Sequence, residues 1–281
     1  MKKIVLIPNL AKDPLLDVST IVATTLLEGG FSVATDTSCP FLHREVARLE
    51  GDALYENAHA ILVLGGDGSI LRASSVASYY GIPILAINLG RLGYIAQLEK
   101  NDLASLVEIL SHDFDTEERA MLSVSLFRNG EPVFENICTL NDAVITKANG
   151  QGIIEFDLFC NGEKINNYRG DGMIFSTATG STAYAMSAGG PVIDPTLRIL
   201  GVTPICAHSL KARPIVFSDK NSLSVIMHDT PSTACITLDG EMKATLQDQD
   251  VLTISLSEKV TKLISFSNGF CSVLYRKMQD L

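Results

Sequence analysis

The chain has 281 residues, 46% of them hydrophobic, with few aromatics and no Trp, so Leu, Ile, Val and Ala must fill one large core or two smaller ones. Its 32 acidic residues against 22 basic ones give a formal charge of −10. That balance repels a nucleic-acid backbone and leaves phosphate groups to be met by backbone amides. Cys39, Cys138, Cys160, Cys206, Cys235 and Cys271 are widely spaced with no CxxC pair, which predicts reduced, mostly buried thiols rather than a disulfide framework. The apolar run at the N-terminus is too short for a secretory signal and Pro8 ends it. No run reaches the ~18 apolar residues of a membrane span. A cytoplasmic protein is expected.

In chain order, Ile4–Ile7 reads as a strand buried on both faces, followed by a helix over Leu15–Glu28 that Gly29-Gly30 closes. Phe31–Thr35 reads as a second strand and Leu42–Leu49 as a helix. Ala60–Leu64 is a third strand, ending abruptly at Gly65-Gly66. A helix over Ser69–Tyr79 and a strand over Pro83–Asn88 complete an alternation that predicts a parallel sheet in a three-layer α/β domain. After a polar hinge, His112–Arg119, the apolar period becomes two. Asn129-Gly130, Asn161-Gly162 and Asp239-Gly240 then each separate two strand-like runs, as hairpin turns do. The expected organisation is an α/β domain over 1–119 and a β-rich domain over 120–260, with 261–281 returning to the first.

Chemistry is concentrated at strand ends. Gly65-Gly66-Asp67-Gly68-Ser69 lies between a buried strand and a helix, where glycines let backbone approach a phosphate and the helix-opening N–H groups can bind it. No Gly-Lys-Ser/Thr follows, so this is not a Walker A loop. Asp67 is an anion in an anion site. It serves there as a base toward a hydroxyl nucleophile or as a metal holder, or it merely caps the helix. A second glycine segment, Asn88–Tyr94, also follows a strand, at the edge where open α/β sheets bind ligands, although taken alone it reads first as an ordinary strand-to-helix turn.

Asn141-Asp142 interrupts a buried strand, and such a pair needs partners. It suits adenine and ribose, or a bulge satisfied by backbone. Gly170-Asp171-Gly172 leads into hydroxyls at Ser176, Thr177, Thr179, Ser181, Thr182 and Tyr184 that outnumber what capping needs, and then into a small-residue helix over Ala183–Ala188. A pocket for ribose and amide groups would use them, whereas Asp171-Gly172 on its own reads as a turn and Arg169 as a surface charge. There is no GxSxG, HExxH or HRD signature, and His208 is expected to be a satisfied, partly buried histidine.

Together these segments resemble the NAD kinase family, bacterial type, over almost the whole chain. The resemblance is carried by Gly65–Ser69, Asn88–Tyr94, Asn141-Asp142, Gly170-Asp171-Gly172, Thr179–Tyr184, Pro204–Leu210 and Asp239-Gly240. It implies an N-terminal Rossmann-like domain and a C-terminal β-rich, sandwich-like domain with NAD bound between them. It also implies transfer of the terminal phosphoryl of ATP, or of polyphosphate, to the 2′-hydroxyl of the adenosine ribose, giving NADP. Asp67 matches the acid that accepts the hydroxyl proton. Gly66, Gly68 and Asn88 fall in the nucleotide-binding loops, and Asn141 and Asp142 match the adenosine-contacting pair. Arg169, Asp171, Thr179, Thr182, Ala183, Tyr184, Ala185, Met186, Ser187 and Glu241 match the region lining the dinucleotide. Mg²⁺ or another divalent cation is expected to ride on the ATP, with no metal ligands assigned to the protein, and a homodimer or homotetramer is implied. The family usually carries Glu at the position of Asp142 and often Gln at that of Glu241. Two rivals stand beside this reading: a lipid or sugar kinase sharing the GGDG loop, and a dinucleotide-binding sensor without turnover.

Overall fold

Aliphatic and β-branched runs build the first sheet, as their continuous hydrophobicity predicts. In a computed structural model that describes residues 1–90, 93–95, 98–148, 152–209, 211–228, 232–265 and 270–279, the chain divides into two units: Met1–Glu118 with Thr261–Leu281, and Arg119–Val260. The first contains β1 (Lys3–Ile7), α1 (Asp17–Glu28), β2 (Ser32–Asp36), β3 (Ala47–Leu49), α2 (Gly51–Tyr55), β4 (Ala58–Gly65), α3 (Asp67–Tyr80), β5 (Ile84–Asn88), β6 (Leu98–Glu99) and α4 (Leu106–Ser111). Its parallel strands run β3-β2-β1-β4-β5, with β6 beside β5. Strand order reverses between β1 and β4, and in open α/β sheets the carboxyl ends of strands at such a switch point hold the ligand. The loops that follow β1 and β4 are therefore neighbours. Ile4, Leu6, Val22, Leu26, Leu62, Leu64, Leu85 and Ile87 are buried in one core across the sheet and its helices.

One expected element is absent. Leu42–Leu49 is a turn followed by β3 rather than a helix. Two turns of isolated helix are marginal in water, whereas here Ala47–Leu49 pairs with Ala34–Asp36 and Arg48 donates to the carbonyls of Thr37 and Cys39.

The second unit holds β7 (Thr116–Arg128) from Arg119 onward, β8 (Glu131–Thr139), β9 (Asp142–Lys147), β10 (Ile154–Cys160), β11 (Glu163–Gly170), β12 (Gly172–Ser176), α5 (Tyr184–Ser187), β13 (Ile199–Ile205), β14 (Ile215–Ser218), β15 (Leu223–Met227), β16 (Ala234–Leu238), β17 (Glu241–Leu246) and β18 (Val251–Ile264) up to Val260. One antiparallel sheet runs β14-β13-β12-β9-β16-β17; β11-β10-β15-β18 forms another, with β7 and β8 following on from β18. Leu122, Val124, Ile145, Phe156, Phe175, Val202, Val225 and Ile254 are buried in the core that the strands of both sheets share, the arrangement of a β-sandwich. Asn129-Gly130, Asn161-Gly162 and Asp239-Gly240 make the expected two-residue hairpin turns. Both residues of each pair have φ between 47° and 83°, the left-handed region that type I′ turns require. The closing helix, α6 (Phe270–Gln279), belongs to the first unit. Of the cysteines, all free, only Cys39 and Cys235 are buried; Cys206 and Cys271 are exposed, contrary to the expectation of mostly buried thiols.

Candidate functional site

In the first unit, β4 ends at Gly65 and α3 starts at Asp67, with Gly66 as an extended N-cap that makes no side-chain capping bond. Asp67 is thus not the cap of its own helix. Its carboxylate accepts the backbone N–H of Tyr94 at 2.8 Å and of Ile95 at 3.3 Å. A Cβ at residue 93 would lie 2.0 Å from Asp67 Oδ1, so only glycine lets the second glycine segment close over the acid. Asn88, buried at the end of β5, accepts Gly90 N–H at 3.0 Å, and Leu89 N–H donates to the Gly65 carbonyl at 2.9 Å, tying the two loops together. Arg91 and Leu92 of this segment lie outside the described residues. Lys277 of α6 sits 5.4 Å from the centre of the Tyr94 ring, a cation–π contact.

Two further residues come from the loop after β1. Asn9 Nδ2 donates to Ser69 Oγ at 2.7 Å. The exposed Lys12 has its Nζ over the glycines, 2.7 Å from where a Gly66 Cβ would be and 3.0 Å from that of Gly90. Sequence reasoning missed both. The available signal was their place just after the first strand of the sheet, beside the strand that carries the GGDG loop.

In the second unit the Asn141-Asp142 pair is buried where β9 begins. Burial, and then the Asp239 charge nearby, pushes the Asp142 carboxyl up from the ordinary 3.8 to about 7. Asn141 Oδ1 is buried with no hydrogen-bond partner. Buried acceptors are nearly always satisfied, so this one, beside a carboxyl held in an unfavourable environment, is what an incomplete ligand site looks like. Residue 180 must be glycine, since a Cβ there would come 2.0 Å from the Asn141 carbonyl oxygen.

The hydroxyl run is more structural than its density suggested. Thr177 Oγ1 donates to the Leu140 carbonyl at 2.6 Å, Ser181 Oγ to that of Ala178 at 2.7 Å, and Thr182 Oγ1 to that of Thr179 at 3.1 Å. Thr179 Oγ1 accepts from Arg119 at 3.5 Å. The small-residue helix is the single turn α5. Its Ala185 packs with Val144 and Ile174, while Tyr184, Met186 and Ser187 are exposed and Ala183 is half-buried. Arg169 pairs with Glu155 at 3.2 Å and Asp171 with Lys147 at 2.8 Å. Glu241, exposed, pairs with Lys243 at 2.6 Å, which holds its carboxyl below the usual range; among the described residues no hydrogen bond joins it to Asn141 or Asp142. His208 is exposed rather than partly buried, on the segment after β13, where its backbone N–H donates to the Arg169 carbonyl at 2.8 Å. Leu210 lies outside the described residues.

No group of three His, Cys, Asp or Glu side chains among the described residues is placed to hold a metal. A divalent cation that arrives on nucleotide phosphates needs only one or two protein carboxylates, and the single acid of the glycine loop, Asp67, suits that. Among the described residues no helix is long and apolar enough to cross a membrane.

Residues 4–114 match the ATP-NAD kinase N-terminal domain and residues 140–266 the ATP-NAD kinase C-terminal domain. The chain is 34% identical over 281 residues to an NAD kinase of Natranaerobius thermophilus, covering 99% of this chain and 98% of that one. It is also 34% identical to an NAD kinase of Caldanaerobacter subterraneus over the full length of both. Among solved structures, yeast NADH kinase complexed with NADH superposes with a TM-score of 0.87 at 19% identity, over 99% of this chain and 88% of that one. An NAD kinase from Archaeoglobus fulgidus in complex with ATP gives 0.78 at 22% over 99% of both. With both domains present in order and full-length relatives above 30% identity, the chain belongs to the ATP-NAD kinase family.

Proposed function

We propose that the protein transfers the γ-phosphoryl of ATP to the 2′-hydroxyl of the adenosine ribose of NAD, with Asp67 as general base. The observation that carries this reading is the placement of Asp67. An acid that only capped its helix would bond the N–H groups of α3, whereas this one is fixed by two amides of a different loop at the sheet's switch point. The ribose oxygen attacks the γ-phosphorus in line, the bond to the β,γ-bridging oxygen breaks, ADP leaves, and the hydroxyl proton passes to the Asp67 carboxylate. Phosphoryl transfer depends mainly on positioning and electrostatics. Here the N–H groups opening α3 and the Lys12 ammonium provide both in a loop that lacks its own lysine. A divalent cation bound to the triphosphate would neutralise part of its charge. Asn141 Oδ1 and the Asp142 carboxyl take up adenosine, the first supplying an acceptor for a base or ribose donor. Arg169, Asp171, Glu241 and the Thr179–Ser187 segment line the remainder of the dinucleotide, and the active form is a cytoplasmic homodimer or homotetramer; both statements rest on the family resemblance.

The test is NADP formation by purified protein given NAD, ATP and Mg²⁺, and separately polyphosphate, with Asp67→Asn alongside. A general base contributes roughly 10²–10⁴ in rate, so the folded variant should lose that much kcat. A near-normal kcat would remove Asp67 from the role of base. Phosphorylation of diacylglycerol but not NAD would support the lipid-kinase rival, and NAD binding without turnover under either donor would indicate a sensor.

A further inference from the structure

All six backbone polar groups of residues 140–142 have partners. The Leu140 N–H donates to Asp239 Oδ2 at 2.8 Å, and those of Asn141 and Asp142 to Oδ1 at 2.8 and 3.2 Å. The Leu140 carbonyl accepts from Thr177 Oγ1 at 2.6 Å and the Asn141 carbonyl from Thr177 N–H at 2.9 Å. The Asp142 carbonyl accepts from Asp239 N–H at 3.0 Å and from Thr139 Oγ1 at 3.1 Å. What the segment leaves unsatisfied is a side-chain atom, Asn141 Oδ1. Three consecutive N–H groups converging on one anion form a nest, and in this protein the anion is a carboxylate of the chain itself.

The turn does not explain why that residue is Asp. Among the described residues, Asp239-Gly240 is one of three turns with the same left-handed pair, and the other two use Asn-Gly. Asn has a single acceptor oxygen, whereas a carboxylate has two, and three N–H donors spread over both oxygens need the second. An acid at this position is also costly, since its charge disfavours that of Asp142.

Resting on the function proposed above, we infer that Asp239 is a positioning residue for the acceptor: its carboxylate clamps the 140–142 backbone so that the Asn141 amide and the Asp142 carboxyl meet the adenosine of NAD. It contacts the dinucleotide only through that segment, and the donor nucleotide is handled without it.

Asp239→Asn and Asp239→Gly both keep a turn compatible with positive φ, and each removes carboxylate acceptors. NAD and ATP affinities are measured by calorimetry on the whole protein, with kcat, both KM values and Tm. Hydrogen bonds to a charged group contribute enough that the Gly variant should bind NAD about 10–100-fold more weakly and the Asn variant about 3–10-fold. ATP affinity stays unchanged. If Gly fails to fold, the Asn variant decides. Unchanged NAD affinity in a folded variant overturns the inference, as does an equal loss for ATP and NAD. A fall in Tm and kcat with NAD affinity intact, the mark of a merely structural turn, overturns it too. Wild type that binds NAD but makes no NADP refutes the kinase reading and leaves the Asp239 comparison standing on its NAD affinities; wild type that does not bind NAD refutes both.

Discussion

Asp142 gives the sharpest link between stability and function. Its carboxyl is buried, and burial and then the nearby Asp239 charge push it up from the ordinary 3.8 to about 7. Between those values the native protein holds a proton that the unfolded chain has released. Raising the pH through this window therefore lowers stability, with the loss complete just above 7 and absent below about 4. A shift of roughly three decades, at 1.4 kcal/mol each, sets an upper limit of about 4 kcal/mol. Relaxation and water entry reduce this, and about 2 kcal/mol is the working figure. Asp142→Asn keeps the shape and removes the titration. For a unit of this size that corresponds to a Tm about 4–8 °C higher than wild type at pH 8.5, and to little difference at pH 4.5. Thermal unfolding of both proteins at a series of pH values reads this directly, since titrating groups that do not interact with Asp142 cancel in the comparison. Parallel Tm curves for the two proteins would refute the argument. The same variant should bind NAD more weakly, because a residue that destabilises the fold this much is retained for its ligand.

Gly93→Ala brings a Cβ to 2.0 Å from Asp67 Oδ1; displacing the acid by about 1 Å should cost roughly 10²-fold in kcat, measured by NADP formation, with NAD affinity unchanged. Lys12→Met removes the ammonium over Gly66 and Gly90, and the KM for ATP should rise about tenfold while that for NAD stays put. Asp250, fully buried, accepts Arg128 Nε at 2.9 Å and Nη2 at 2.7 Å and the Gln247 N–H at 2.8 Å. Asp250→Ala leaves Arg128 half-buried without its carboxylate and should lower stability by about 3 kcal/mol in urea unfolding, with the KM values of the folded fraction unchanged.

The alternation of strands and helices in the first unit was legible because buried parallel strands are uniformly apolar and their ends carry glycine. The three hairpins were legible because Asn-Gly and Asp-Gly have a local conformational reason to turn. Leu42–Leu49 reads as a helix because Leu42 and Val46 fit a helical spacing, whereas pairing with β2 and the Arg48 bonds, which lie outside the segment's own pattern, decide the matter. The hydroxyl-rich run reads as a pocket from its composition. Composition does not say whether a hydroxyl points at a ligand or at a carbonyl of the previous turn, and Ser181 and Thr182 do the latter.

What sequence hid most thoroughly is how an acidic chain holds its acids. Asp67 is held by the amides of Tyr94 and Ile95, Asp239 by those of residues 140–142, and Asp13 by the amides of Val18 and Ser19 together with the Ser19 hydroxyl, which keep its carboxyl below the usual range against the opposing effect of burial. The donors named here are backbone amides and one hydroxyl, and no charge pattern along the chain betrays which carboxylate each of them meets. A backbone amide is contributed by every residue but proline, and only folding decides which carboxylate it meets. In a protein with a surplus of acids and a phosphorylated substrate this has a functional consequence. On the proposed function, the positive charge that meets phosphate at this loop is that of Lys12, which the neighbouring strand's loop places over Gly66 and Gly90 where the glycine loop has no lysine of its own.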